Sequence, residues 1–259
     1  MTAFRDLHAS GLLILPNAWD AGSAAIMASL GAKAIATTSA GVAWGLGWPD
    51  GDYLPADRAV QACADIVRAA GCLPVSVDFE GGYSDDPATV AALANRLVAV
   101  GAAGINIEDA GGPAEALAAK IAAIRAAVGP DLFINARCDL WLRGVGEAGE
   151  RVAEAVRRAA VYAGAGADGF FAPGLADAAG IATLTRAVPM PVNLLAMPGL
   201  PDGAELARLG VRRLSAGSGL TSAAYGRAMR LARERIMGGN VVRVSSRGKA
   251  WNATSQSTA

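Results

Sequence analysis

The chain has 259 residues, 53% of them hydrophobic and 18% charged, with 23 basic side chains against 23 acidic ones. Balanced charge leaves no electrostatic footprint for nucleic acid, and Gly, Pro or Asp interrupts each long apolar run before ~18 residues, so no membrane span is expected. A single histidine, His8, and three cysteines without metal-type spacing (Cys63, Cys72, Cys138) disfavour a His-dependent triad or a zinc site and point to a reduced, cytoplasmic protein.

The N-terminus "MTAFRDLHAS" lacks the basic-then-apolar layout of a secretory signal and reads as a leading helix. Eight short β-rich runs then follow: "LLILPNAWD" (12–20), "AIATTSAG" (34–41), "LPVSVDFEGG" (73–82), "GINIEDAGG" (104–112), "LFINARCD" (132–139), "GFFAPG" (169–174), "MPVNLLAMPG" (190–199) and "VRRLSAGSG" (211–219). Ala-rich helical stretches such as "PAEALAAKIAAIRAAVG" separate them and close on glycine. Eight β-then-α units in about 250 residues predict one (β/α)8 barrel domain over 1–238, with a polar tail at 239–259. An open doubly wound sheet is the alternative, but no GxGxxG follows the first run.

Barrel chemistry lies at the strand C-terminal ends. Those ends carry Asn17 and Asp20, Ser39 and Gly41, Asp78 and Glu80, Asn106, Glu108 and Asp109, Asn135, Arg137 and Asp139, Asn193, then Ser215 and Ser218. Asp78 and Glu80 share one strand face, as do Asn106 and Glu108, and Asn135 and Arg137. Asp78 and Glu108 lie 30 residues apart and Glu108 and Arg137 lie 29 apart, so they belong side by side on adjacent strands. Acidic oxygens without His or Cys suit a hard cation, Mg²⁺ or Mn²⁺, and the Arg137 fork suits a substrate carboxylate or phosphoryl group. The same acids could instead cap helices, or pair with Arg137 in a buried ion network. None of the three lysines (Lys33, Lys120, Lys249) falls at a strand end, which leaves a Schiff-base mechanism unsupported. The loop 37–52 reads as a pocket wall, with Trp44 lining it and Asp50 behind the cation.

In order along the chain, "LPNAWDAGSAAIMASLGAKAIATTSAG", "LGWPD", "VDFEGGY", "GINIED" and "INARCD" resemble the motifs of the isocitrate lyase/phosphoenolpyruvate mutase superfamily, over about residues 10–235. The resemblance implies a Mg²⁺-dependent enzyme acting on a small 2-oxo acid or a 2-oxo/2-hydroxy diacid through an enolate. It implies a metal set of Asp50, Asp78, Glu80 and Glu108. Carboxylate binding would fall to Arg137, the Ser39–Ala40–Gly41 turn, Asp78 and Asn193, with Trp44 in the wall. It also implies a homo-oligomer, dimer or tetramer, that exchanges a C-terminal helix, for which about 221–237 is the segment.

Two departures bear on activity. The lyases' Cys-containing loop after the fourth run is absent: "EDAGGPAEALAAKIAAIRAA" passes straight into a helix. Glu80 stands where many members carry Asp. The expectation is therefore a carbon–carbon lyase or decarboxylase, oxaloacetate decarboxylase-like but not a true isocitrate lyase, with Arg137 and Tyr83 as the catalytic side chains. The alternatives are a phosphonopyruvate-type P–C hydrolase or mutase, and a catalytically silent 2-oxo acid binding protein.

Overall fold

The structure is a computed structural model that describes residues 4–237. Its strands are β1 (Leu13–Leu15), β2 (Asn17–Ala18), β3 (Ile35–Thr37), β4 (Val75–Asp78), β5 (Gly104–Glu108), β6 (Phe133–Arg137), β7 (Gly169–Phe171), β8 (Val192–Leu195) and β9 (Arg213–Ser215). All pair in parallel in the order β1-β9-β8-β7-β6-β5-β4-β3-β2. The first run is one strand broken at Pro16, whose ring has no N–H to donate but whose carbonyl accepts from Ala36 N–H at 3.0 Å. Because β1 pairs β9 and β2 pairs β3, that broken strand brings the sheet round on itself. The fold is a (β/α)8 barrel, as the eight-unit repeat predicts.

Among the described residues, nine α-helices surround it: α1 (Ala21–Ser29), α2 (Ser39–Gly45), α3 (Ala56–Ala70), α4 (Pro87–Ala99), α5 (Ala114–Val128), α6 (Arg151–Gly164), α7 (Ala178–Ala187), α8 (Gly203–Arg208) and α9 (Gly219–Ala232). Helix α3 shows why they dock: Val60, Cys63, Ile66 and Ala70 fall on one stripe and are all buried. Caps set the starts. Asp20 accepts from Ser23 N–H at 2.6 Å, and Asp86 accepts from Thr89 N–H at 3.0 Å, with Pro87 opening the helix. Asp20 is thus a helix cap and not a site residue. The segment 37–52, expected as a loop, contains α2, because the Thr38 side chain caps it. No described helix is long and apolar enough to cross a membrane.

The barrel interior is layered by polarity. Phe4, Leu13, Leu15, Ala36 and Phe133 form an apolar plug at the N-terminal end, where His8 stacks on Phe133 at 4.2 Å between ring centroids. Phe4 and His8 come from a 3-10 turn, Phe4–His8, in place of the expected leading helix. Gly104 and Gly169 make room for this plug: a Cβ on Gly169 would lie 2.9 Å from the Phe133 ring, and one on Gly104 2.9 Å from the Phe4 ring. Above it lies a buried polar layer of Ser76, Asn106, Asn135, Asn193, Arg213 and Ser215. The fully buried Arg213 spans it, donating from Nη2 to Asn106 at 3.1 Å and from Nε to Ser215 at 3.3 Å.

Candidate active site

Register carries the strand-end residues to one rim. Asp78 pairs with Asn106, and Glu108 with Arg137, by backbone register across adjacent strands. There they edge a cleft of about 170 Å³, lined among others by Asn17, Ser39, Ala40, Asp50, Asp78, Asn106 and Arg137. Asp78 is held on one carboxylate oxygen by Ser39. Its N–H donates to Thr37 Oγ1 at 2.8 Å, and its Oδ2 accepts from Ser39 N–H at 3.2 Å. The Ser39 hydroxyl lies 3.1 Å from Asp78 Oδ2 and 3.1 Å from Asp50 Oδ1, so it can donate to either acid in turn. Asp78 Oδ1 is buried without a partner.

Arg137 is gripped on three sides. Its Nη1 stands 2.6 Å from Glu108, while Nε and Nη2 donate to the two oxygens of Asp139 at 2.7 and 2.9 Å. Burial works against its charge, but Glu108, Asp78 and Asp139 outweigh burial and hold its pKa above the usual value. Burial pushes Glu108 up to about 8; Arg137 opposes the rise, and Asp139, Asp78 and Glu80 add to it. The buried ion network weighed at the sequence level is therefore present, and it sits at the rim of the cleft.

Glu80 takes another direction. Its backbone is left-handed (φ 51°), and its carboxylate accepts from the Tyr83 hydroxyl at 3.0 Å and from the Asp52 N–H. Burial pushes it up to about 7, and the Asp52 and Asp78 carboxylates add to the rise. Asp52 and Tyr83 are left-handed as well (φ 62° and 60°), which places three strained non-glycine residues in one hydrogen-bonded knot behind Asp78.

Of the expected site residues, Ser39, Ala40, Asp50, Asp78 and Arg137 line the cleft. Glu108 reaches it through Arg137. Glu80 and Tyr83 stand behind its wall, because their polar groups are committed to each other. Gly41 lies within α2 and packs against α9, where a Cβ would lie 2.6 Å from Thr221 Oγ1. Trp44 is 40% exposed on α2 and is not among the residues that line the cleft. Asn193 is one layer below, accepting from the Ser215 hydroxyl at 3.2 Å. Cys138 is buried, and burial pushes its thiol up, which suits a core residue. Between β5 and α5 run only the five residues Asp109–Pro113, with no room for a covering loop. Asp109 there accepts from Arg158 and Tyr162, each at 2.7 Å, and so anchors α6.

Sequence reasoning missed Arg213, although its i, i+2 spacing from Ser215 placed it on the inner face. It also missed Leu142, Phe171, Pro173 and Leu195, which line the far side of the cleft and carry no chemical signal in sequence.

The donors fit a hydrated divalent cation. Among the described residues no three His, Cys, Asp or Glu side chains form a ready-made metal cage. Mg²⁺ does not require one, since it keeps several waters and takes one or two carboxylates plus substrate oxygens. The unpartnered Asp78 Oδ1 is the atom such an ion would satisfy.

The sequence profile of the family "phosphoenolpyruvate phosphomutase" matches residues 4–236. The uncharacterized protein Rv1998c of Mycobacterium tuberculosis is 44% identical over 239 residues, covering 86% of each chain. An oxaloacetate decarboxylase of Ectopseudomonas mendocina is 34% identical over 182 residues, covering 64% of this chain and 60% of its own. A crystal structure from Burkholderia cenocepacia J2315, described as a candidate lyase/mutase, superposes with a TM-score of 0.83 at 42% identity, over 92% of this chain and 88% of that one.

Proposed function

We propose, from the premise that this chain belongs to the phosphoenolpyruvate phosphomutase family, that it is a Mg²⁺-dependent enzyme cleaving a carbon–carbon bond in a small 2-oxo or 2-hydroxy acid. The observation that carries this reading is Asp78, whose Oδ1 is buried without a partner and which lines a cleft together with Ser39, Asp50 and Arg137. Asp78, with Asp50 and Glu108 nearby, would hold the ion; the Glu80 carboxylate would steady the wall behind it. When bound, the ion polarises a carbonyl and stabilises developing enolate charge.

The chain's own groups do the rest. The Ala40 backbone N–H in the first turn of α2 and the remaining N–H donors of Arg137 orient the carboxylate of the acid. Glu108 and Asp139 fix the Arg137 plane, so the substrate meets a set guanidinium geometry. The one acid of the five-residue β5–α5 turn, Asp109, is committed to Arg158 and Tyr162, so a water is the simplest proton donor to the enolate.

The experiment is a panel of 2-oxo acids and phosphonopyruvate followed by NMR, with and without Mg²⁺. Consumption of a carbon acid that stops with EDTA and in Asp78→Asn supports the reading. Release of phosphate from phosphonopyruvate alone would move the assignment to P–C chemistry, and tight binding without turnover would make the protein a binder. The reading includes a reducing cytoplasm, for which the three free cysteines speak. It also includes a homo-oligomer formed through α9, which exposes Leu220, Tyr225 and Met229 and buries only Thr221. The expected tail 239–259 lies outside the described residues.

A further inference from the structure

The cleft is divided by chemistry along the barrel. Its side from β3 to β6 carries Ser39, Asp78, Asn106 and Arg137; its opposite side carries Phe171 at the end of β7, Pro173 just after it, Leu195 at the end of β8, and Leu142 from the segment after β6. Arg137 is the one cation among the described lining residues, and each of its three nitrogens already contacts Glu108 or Asp139, which leaves two of its five N–H donors. Among the described residues, no cationic side chain lines the apolar side. A divalent ion with the Ala40 backbone N–H can receive one carboxylate and its neighbouring oxygen. A second carboxylate, or a phosphonate, would be desolvated against Phe171, Pro173 and Leu195 without a counter-charge, which is strongly unfavourable.

The remaining polar groups in the cleft are mostly spent. Asn17 donates to Thr37 O at 2.7 Å and accepts from Gly217 N–H at 2.9 Å, and the Ser215 hydroxyl donates to Asn193. Asn106 Oδ1 accepts from Asn135 at 2.8 Å and Arg213 at 3.1 Å, so its amide hydrogens are left for the cleft. The Ser218 side chain caps nothing. These are neutral groups, suited to a hydroxyl.

We propose that the substrate is a monocarboxylic 4-hydroxy-2-oxo acid with a short alkyl arm, cleaved to pyruvate and an aldehyde. This rests on the metal-enolate reading above and narrows it. The C3–C4 bond breaks, its electron pair passes to C3 and is delocalised onto the 2-oxo oxygen. A water takes the 4-hydroxyl proton as C4 becomes the aldehyde carbon and hands one proton back to C3 of the enolate, so that the water is regenerated and the step is balanced. No oxidant or reductant is needed. The 2-oxo group carries the charge; a second carboxylate is not required. The alkyl arm lies against Leu142, Phe171, Pro173 and Leu195.

The test is titration calorimetry of the full chain with Mg²⁺, comparing 2-oxobutanoate and 3-methyl-2-oxobutanoate with 2-oxoglutarate and phosphonopyruvate. Turnover is followed with 4-hydroxy-2-oxopentanoate. The alkyl monoacids should bind at least ~10-fold tighter than the dianions, and pyruvate and acetaldehyde should appear in equal amounts. Leu142→Arg, at a 47% exposed position, should raise dianion affinity at least ~10-fold while circular dichroism stays unchanged. Arg143→Ala should change nothing; a selective loss of dianion binding there would show that Arg143 serves a second carboxylate, and would overturn the proposal. Dianions binding as tightly as the monoacids would overturn it too, with the metal site intact. Alkyl acids that bind while 4-hydroxy-2-oxopentanoate stays uncut would overturn the cleavage step. Failure of every acid to bind, with or without Mg²⁺, would overturn the underlying reading of the site as well.

Discussion

Arg137 Nη1 stands 2.6 Å from Glu108 Oε2, and both side chains are mostly withdrawn from solvent, at 17% and 12% exposure. The guanidinium is at once the cation of the cleft and the counter-charge of two carboxylates beneath the rim. Arg137→Ala should therefore cost about 3–5 kcal/mol, because it strands Glu108 and the buried Asp139 without a partner. Arg137→Lys should cost less while losing substrate binding, since an ammonium cannot fork to both acids. Urea unfolding measures this. An alanine variant as stable as the parent would rule out the ion-pair role.

Asp78 is the acid with an unpartnered oxygen, so Asp78→Asn should keep the fold and lose the ion. Turnover is expected to drop by about 10²-fold or more, and Mg²⁺ titration heat should vanish. EDTA should inactivate the parent reversibly. Full activity in either condition contradicts a metal role for Asp78.

Tyr83 donates to Glu80 and stands behind the wall of the cleft, with its ionisation pushed up first by burial and then by Glu80. Tyr83→Phe should cost about 1 kcal/mol through the lost hydrogen bond and leave turnover within roughly tenfold. A loss of about 10²-fold or more would instead mark the hydroxyl as a proton donor.

His8 is buried beneath the polar layer, and burial, reinforced by the Arg213 charge, lowers its pKa from 6.5 to about 4. Above pH 6.5 it is neutral both folded and unfolded and contributes no pH dependence. Between 6.5 and 4 only the unfolded chain takes up the proton, so stability falls as pH falls, by up to roughly 3 kcal/mol. His8→Gln should remove that part of the slope. The check is the difference between parent and variant unfolding free energies at pH 7, 5.5 and 4.5; parallel curves would exclude His8 as the source.

The barrel and the ring of chemical residues were readable along the chain because both follow from local periods. Side chains alternate every two residues, and βα units recur about every 30, so Asp78, Asn106, Glu108 and Arg137 had to meet on neighbouring strands. The loss of the loop after β5 was readable for the same reason, since the helix begins at Ala114.

What the chain order could not decide lies between residues far apart in sequence. Glu80 shares a strand face with Asp78 in an ideal strand. Its left-handed backbone and the Asp52 N–H, 28 positions away, turn it behind the wall instead. Arg213 meets Asn106 across 107 positions, a contact no period announces. The apolar half of the cleft is of the same kind: Leu142, Phe171, Pro173 and Leu195 look like any core residues until barrel closure sets them opposite Asp78. Local alternation determined which residues reach the rim. Closure of the barrel and long-range hydrogen bonds decided which of them line the cleft.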